Sequence, residues 1–101
     1  MAKQHYFLKL IPPRPTFPMD MSDDERRLMQ EHVVYMAGQF QGGKVLIYGP
    51  VMEPGGPFGM GVFEVDDEAE ARRIMEADPT VVAGLNRFAL CPMRVGNARR
   101  T

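Results

Sequence analysis

Apolar and polar positions alternate in short blocks near the start of the chain and then stop. Residues 5–11 read HYFLKLI, a run rich in aromatic and branched side chains, which predicts a first strand. Residues 12–18 hold four prolines, which neither a helix interior nor a central strand accepts. We therefore expect a proline-rich extended loop over residues 12–21.

The next block has helical periodicity. The tetrapeptide SDDE, from Ser22 to Glu25, is a capping box in which each side chain bonds the other residue's backbone amide. One apolar stripe then recurs at spacings of three and four, comprising Met29, Val33, Met36 and Phe40. A second row beside it comprises Leu28, His32, Tyr35 and Gln39. Gly42 and Gly43 predict the helix end, where a left-handed residue is favoured.

A hairpin follows the helix. Residues 44–52 (KVLIYGPVM) predict a second strand that is broken at Gly49 and Pro50. Residues 53–57 (EPGGP) have the composition of a turn, and residues 58–65 (FGMGVFEV) predict a third strand.

The last third of the chain repeats the helix-to-strand change. Asp67, with Glu70 three residues later, predicts the start of a second helix, and Asp78 followed by Pro79 predicts its end. Residues 80–85 can form one more turn, and residues 87–95 predict a final strand.

The element order βαββαβ predicts an α+β, ferredoxin-like fold: a four-stranded antiparallel sheet with two helices on one face. In the second strand both alternate sets are apolar, with Val45, Ile47 and Val51 on one side and Leu46 and Tyr48 on the other. A sheet covered on one face only should alternate apolar with polar. We therefore expect a homodimer that packs through the open sheet face.

Composition limits the function further. A length of 101 residues fits one domain over residues 1–101, and the last six residues (96–101) are expected to form a flexible tail. Twelve basic and thirteen acidic residues give a net charge of −1 with no basic patch, so we expect no nucleic-acid partner. No apolar run reaches the roughly 20 residues of a membrane span, so we expect no membrane partner. The single cysteine, Cys91, excludes an internal disulfide, and we expect it to be buried. The chain resembles neither a secreted nor a membrane protein, which favours a cytoplasmic location.

The order and spacing of several segments resemble the YCII-related (YciI-like) family across nearly the whole chain. The matching segments are His32 within the first helix, GKVLIYGPV (43–51), FGMGVFEV (58–65), EAEARRIMEADP (68–79), AGL (83–85) and PMRV (92–95). The resemblance implies a ferredoxin-like fold that dimerises into an α+β barrel. It also implies small enzymes, mostly without an assigned reaction, whose active site pairs one histidine with one aspartate. These map here to His32 and Asp78.

His32 and Asp78 each have a structural interpretation beside the catalytic one. His32 lies next to the apolar stripe, where it can move a proton at neutral pH or simply bond a backbone group at the edge of the core. Asp78 can orient the imidazole of His32, as the third member of a catalytic triad does. It can equally cap the turn that begins at Pro79, and the two roles are compatible.

Four more residues are candidate substrate contacts. Tyr48, Gly49 and Pro50 can form a pocket wall and offer a phenol, although a Gly-Pro pair in a strand more often marks an edge or bulge. Arg14 can bind an anionic group through its guanidinium, although a solvated loop arginine is the commoner case.

Other chemistry finds little support in the sequence. The glycines of residues 55–61 lack the Gly-Lys-Ser/Thr of a phosphate loop, and two distant histidines do not predict a metal site. We therefore expect a cofactor-free enzyme, of lyase or isomerase type, that acts on a small organic molecule through His32 and Asp78. The alternative is a non-catalytic dimeric module that binds a metabolite or serves a larger assembly.

Overall fold

A computed structural model describes residues 2–100 of the chain. Its elements are, in order, β1 (Gln4–Ile11), α1 (Phe17–Asp20), α2 (Asp23–Gln41), β2 (Val45–Val51), β3 (Phe58–Val65), α3 (Glu68–Glu76), α4 (Pro79–Val82) and β4 (Arg87–Met93). The four strands form one antiparallel sheet in the order β2-β3-β1-β4. This is the predicted α+β, ferredoxin-like fold, with α1 and α4 as additional single turns.

The core lies between the sheet and the helices. On β1 the alternate residues Tyr6, Leu8 and Leu10 are buried, as the pleat of a strand requires when one face is covered. Tyr6 pairs with Phe63 of β3, which is also buried. Opposite Leu8 and Leu10 stand Gly61 and Gly59, where an added Cβ atom would lie 3.3 Å and 3.1 Å from the leucine side chains. These glycines therefore keep room for the leucines.

Helix α2 begins and ends where the sequence predicts. The Ser22 side chain accepts from the Glu25 amide at 3.1 Å, the Glu25 carboxylate accepts from the Ser22 amide at 2.9 Å, and Gly43 has the positive φ of a helix stop. Its predicted apolar stripe is only partly correct. Met36 is buried, but Val33 and Phe40 are 57% and 46% exposed, because the helix turns the row of His32 and Tyr35 towards the protein instead.

The irregularity of β2 lies at Leu46 and not at Gly49 and Pro50. The pairing register with β3 shifts between Val45 and Ile47, and the strand then continues regularly to Val51. Because one extra residue reverses the side-chain alternation, Val45 faces the core and Ile47 faces the opposite side. The predicted grouping of Val45 with Ile47 is therefore wrong.

The open face of the sheet carries an apolar row across all four strands. Ile47, Val62, Phe7 and Cys91 are in register from one edge to the other. Cys91 is exposed, so its predicted burial is wrong: β4 is an edge strand and its outward residues have no covering layer.

The proline-rich segment is not wholly extended. Phe17–Asp20 forms one helical turn, and the fixed φ of Pro18 suits its first positions. Phe17 is buried and anchors this turn.

One residue of the predicted tail contacts a strand. Thr101 lies outside the described residues, while the Arg100 guanidinium donates to Glu64 of β3 at 2.6 Å.

Within residues 2–100, no helix combines the length and the apolar character needed to cross a bilayer.

Candidate active site

A cleft of about 350 Å³ opens between the helix-facing side of the sheet, α2 and the proline-rich segment. This volume is in the range of small-ligand sites. Its wall is formed mainly by leucine, methionine, proline and phenylalanine side chains, and His32, Tyr48 and Asn86 are its polar residues. No Lys, Arg, Asp or Glu of the described chain lines it. The cleft therefore suits an uncharged, largely apolar molecule.

His32 and Asp78 meet at one side of this cleft although they are 46 residues apart in sequence. His32 projects from the inward face of α2, and Asp78 lies at the junction of α3 and α4. The imidazole Nδ1 is 2.5 Å from the Asp78 Oδ2 atom. The His32 side chain is 14% exposed and the Asp78 side chain 0% exposed, so the contact is shielded from solvent on the carboxylate side.

The two carboxylate oxygens of Asp78 have different partners, one in the N-cap of α4 and the other at His32. Oδ1 accepts from the Thr80 amide at 2.8 Å and from the Thr80 hydroxyl at 2.6 Å, which is the N-cap of α4. Oδ2 remains for His32. The cap thus fixes the carboxylate in the orientation in which it meets the imidazole.

Electrostatics keep Asp78 ionised. Burial acts to raise the pKa of this carboxyl, but the hydrogen bonds from His32 and Thr80 outweigh burial and hold its pKa below the ordinary value. An ionised carboxylate can only accept hydrogen bonds, so Nδ1 of His32 carries the proton. In the neutral imidazole Nε2 then has a free lone pair, which is the state required of a general base.

Tyr35 links α2 to α3 behind the pair of His32 and Asp78. Its hydroxyl donates to the Ile74 carbonyl at 2.6 Å, which ties α2 to α3. Burial raises the pKa of the Tyr35 phenol, and the nearby charge of Asp78 raises it further. Tyr35 therefore stays protonated and serves as a structural donor.

The other predicted contacts divide into two groups. Tyr48, Gly49 and Pro50 do line the cleft, on the side of β2. Arg14 does not line it.

The Arg14 guanidinium is fully engaged elsewhere. It donates to Asp20 at 2.7 Å and to both Glu25 oxygens at 2.8 and 2.9 Å. The Arg14 bonds to Glu25, together with the hydrogen bond from the Ser22 amide, lower the pKa of Glu25 to about 2. Arg14 thus joins the proline-rich segment to the start of α2, and the structure gives no support to its predicted role as an anion-binding residue.

Asn86 also lines the cleft, although no sequence pattern predicts it there. It is 3% exposed, directly precedes β4, and donates from its amide nitrogen to the Met29 sulfur at 3.4 Å. Asparagine between helix and strand is ordinarily a turn residue, so its type carried no functional signal. Among residues 2–100, no cluster of three or more His, Cys, Asp or Glu side chains has an arrangement suited to a metal ion.

The fold agrees with a sequence-family match: the YCII-related domain family matches residues 6–94, and the chain belongs to this family. Among solved structures it matches a 5-chloro-2-hydroxyhydroquinone dehydrochlorinase from Burkholderia phenoliruptrix AC1100, determined in complex with 2,5-dihydroxybenzoquinone. The TM-score is 0.63 at 20% sequence identity, over 92% of this chain and 95% of that one. At this identity the likeness establishes the shared fold. A comparison with curated proteins finds no match.

Proposed function

We propose that this protein is an enzyme that moves a proton on a small, uncharged and largely apolar molecule bound in the cleft. One observation carries the proposal: His32 lines the cleft while its Nδ1 is bonded to the carboxyl group of the buried Asp78. Nε2 is then the nitrogen available to a ligand. Asp78 holds the ring in the tautomer that makes Nε2 basic, as the acid of a catalytic triad does.

The chemistry follows from this arrangement. Nε2 takes a proton from the substrate, and Asp78 stabilises the imidazolium that forms. The electron pair left behind either expels an anionic leaving group from the neighbouring atom, which is an elimination, or moves along the molecule until the proton returns at another atom, which is an isomerisation. Both reactions balance without an electron acceptor, so a lyase or an isomerase fits the site equally.

The structural neighbour supports the elimination branch. Its name describes a dehydrochlorinase, and its structure holds a dihydroxybenzoquinone. Loss of hydrogen chloride is an elimination that begins with proton removal, which is the step proposed here for Nε2 of His32. The alternative, a non-catalytic binding module, has less support from the site, because binding alone does not require a buried carboxylate behind the imidazole.

We further propose that the protein forms a homodimer through the open face of the sheet. The row of Ile47, Val62, Phe7 and Cys91 lies on a face without a helix, where Ile47 is 57% exposed and Cys91 is exposed, while Val62 is only 7% exposed. Soluble proteins rarely leave such a row uncovered, and a two-fold pairing of sheets would cover it on both copies.

A turnover screen tests the catalytic proposal. Chlorinated hydroquinones, assayed for chloride release, and uncharged enolisable ketones, assayed for deuterium uptake from D₂O, cover the two branches. The matched control is His5, the other histidine, which also lies beside a carboxylate, Glu64 at 3.0 Å, but does not line the cleft. We expect His32→Gln to lower turnover by at least about 100-fold and His5→Gln to leave it unchanged. Equal turnover in the wild type and His32→Gln refutes the proposal.

A further inference from the structure

Asn86 has a polar atom that the protein itself does not satisfy. Its side-chain oxygen is buried, and within the described chain it is the buried side-chain polar atom without a hydrogen-bond partner. Buried polar groups are nearly always paired, because an unpaired one loses its hydration without compensation. A leucine has the same branched shape and the same number of side-chain heavy atoms without this cost. The oxygen is therefore expected to meet a donor from outside the chain.

The contact with Met29 determines which end of the amide needs the donor. The thioether sulfur of Met29 can accept a hydrogen bond but cannot donate one, so the nitrogen of the Asn86 amide belongs on the Met29 side, 3.4 Å away. The oxygen lies at the other end. An N–H to sulfur bond is weak, and the final torsion of an asparagine side chain is broad, so a modest rotation can turn the oxygen to the cleft that Asn86 lines.

The backbone places Asn86 beside the catalytic pair. The Thr80 carbonyl accepts from the amides of Leu85 at 2.9 Å and Asn86 at 3.1 Å, while the amide and hydroxyl of the same Thr80 hold Asp78. Met29, which contacts the Asn86 amide, precedes His32 by one helical turn and lines the same cleft. One turn of chain therefore fixes both the carboxylate behind His32 and the amide of Asn86.

We infer that Asn86 binds substrate by accepting a hydrogen bond from it, and that the substrate is an uncharged molecule with two donor groups, such as a ring with two hydroxyls. This inference rests on the proposed function of the cleft. Beside the Tyr48 hydroxyl, the cleft would offer Nε2 of His32 for the proton that is removed and Oδ1 of Asn86 for a second O–H or N–H. Because no Lys or Arg of the described chain lines it, an anionic substrate has no permanent counter-charge there.

Three compounds of one shape test this assignment. In 1,3-dihydroxybenzene, 3-methoxyphenol and 1,3-dimethoxybenzene the number of hydroxyl donors falls from two to one to none while the ring is unchanged. Dissociation constants are measured by NMR titration, from the amide signals of cleft residues. We expect each lost donor to weaken binding to the wild type by about three- to ten-fold, the worth of one neutral hydrogen bond.

Asn86→Leu removes the acceptor and keeps the branched shape and the number of side-chain heavy atoms. In this variant we expect 1,3-dihydroxybenzene to bind no better than 3-methoxyphenol, while 1,3-dimethoxybenzene binds as it does to the wild type. Should Asn86→Leu not fold, a crystal structure of the wild type with 1,3-dihydroxybenzene decides, because a phenolic oxygen at about 2.5–3.0 Å from Oδ1 is expected.

The outcomes separate this inference from the proposed function. The role of Asn86 is overturned if the preference for two donors persists in Asn86→Leu. It is also overturned if the wild type binds the three compounds equally or not at all. Neither result affects the turnover comparison of His32→Gln, which tests the proposed function. A preference that depends on Asn86, together with unchanged turnover in His32→Gln, supports the binding role and refutes the catalytic proposal instead.

Discussion

Replacing Asp78 by asparagine should reverse the tautomer of His32 while leaving the fold in place. The asparagine oxygen can keep the position of Oδ1 and accept from the Thr80 amide and hydroxyl, which are 2.8 and 2.6 Å away. The asparagine nitrogen then faces Nδ1 of His32 and donates to it. Nδ1 must accept in this arrangement, so the imidazole proton moves to Nε2 and the base is lost.

The stability cost follows from the bonds that change. Three hydrogen bonds to a charged carboxylate become three neutral bonds, each weaker by about 1 kcal/mol, and relief of the buried charge offsets part of that sum. We expect Asp78→Asn to lower the free energy of unfolding by about 1–3 kcal/mol. Asp78→Ala leaves three donors unpaired in a buried site and should cost more, about 3–5 kcal/mol. A small domain of typical stability, about 5–15 kcal/mol, tolerates the first change better than the second.

Three measurements check this prediction. Urea unfolding gives the two stability losses, and their order should be Asp78→Ala above Asp78→Asn. Long-range ¹H–¹⁵N NMR of the neutral imidazole should show the proton on Nε2 in Asp78→Asn. Turnover of a substrate from the screen should fall by about 10³–10⁴-fold in Asp78→Asn, as when the orienting acid of a catalytic triad is replaced. A variant that keeps its proton on Nδ1, or keeps its turnover, refutes the role assigned to Asp78.

Three further predictions concern the frame of the site. The pKa of Glu25 lies near 2, below its ordinary value of 4.5, so the stability from its pairing with Arg14 is present above pH 4.5 and lost as the pH falls towards 2. The urea midpoint should therefore fall less between these pH values in Glu25→Gln than in the wild type, and equal losses contradict this. Ile47→Asp should convert a dimer of 11.4 kDa chains into a monomer by sedimentation, and a monomeric wild type contradicts the interface. Met36→Ala should lower the free energy of unfolding by about 2–5 kcal/mol because it leaves a cavity in the core. Val34→Ala, at an exposed position on the same helix, should change it by less than about 0.5 kcal/mol, and equal losses contradict the burial of Met36.

Local features of the fold were predictable because their causes are local. The capping box from Ser22 to Glu25 and the glycine at position 43 act within a few residues of themselves, so the bounds of α2 follow from the sequence. The strand β3 is likewise bounded by the proline and acidic residues that flank it. The βαββαβ order then restricts the sheet to few topologies, and the ferredoxin-like arrangement is one of them.

Features that depend on distant packing were not predictable in the same way. The bulge at Leu46 is a property of the pairing between β2 and β3, and nothing in the segment VLIYGPV marks it, whereas Gly49 and Pro50 suggest a break that the strand does not have. The exposed Val33 shows a similar limit. A helical stripe gives the apolar positions, but the direction in which α2 meets the sheet decides which of them the core covers.

The candidate site combines both cases. His32 and Asp78 were selected from the resemblance to a family, because residues 46 positions apart carry no local signal of contact. The cap function of Asp78 was visible in the sequence, since an aspartate before Pro79 and Thr80 is typical of a helix start. The predicted substrate contact of Arg14 finds no support in the structure, because its acidic partners, Asp20 and Glu25, are nearby in sequence and bond to its guanidinium.

The position of one proton decides whether His32 can act as the base. Neutron diffraction from a deuterated crystal of the wild type at neutral pH locates the deuterium between His32 and Asp78. We expect deuterium on Nδ1 and none on the Asp78 carboxylate, with Nε2 directed to the cleft. Deuterium on Nε2 alone, a deuterated Asp78, or an imidazole turned away from the cleft would contradict the assignment of His32 as a base.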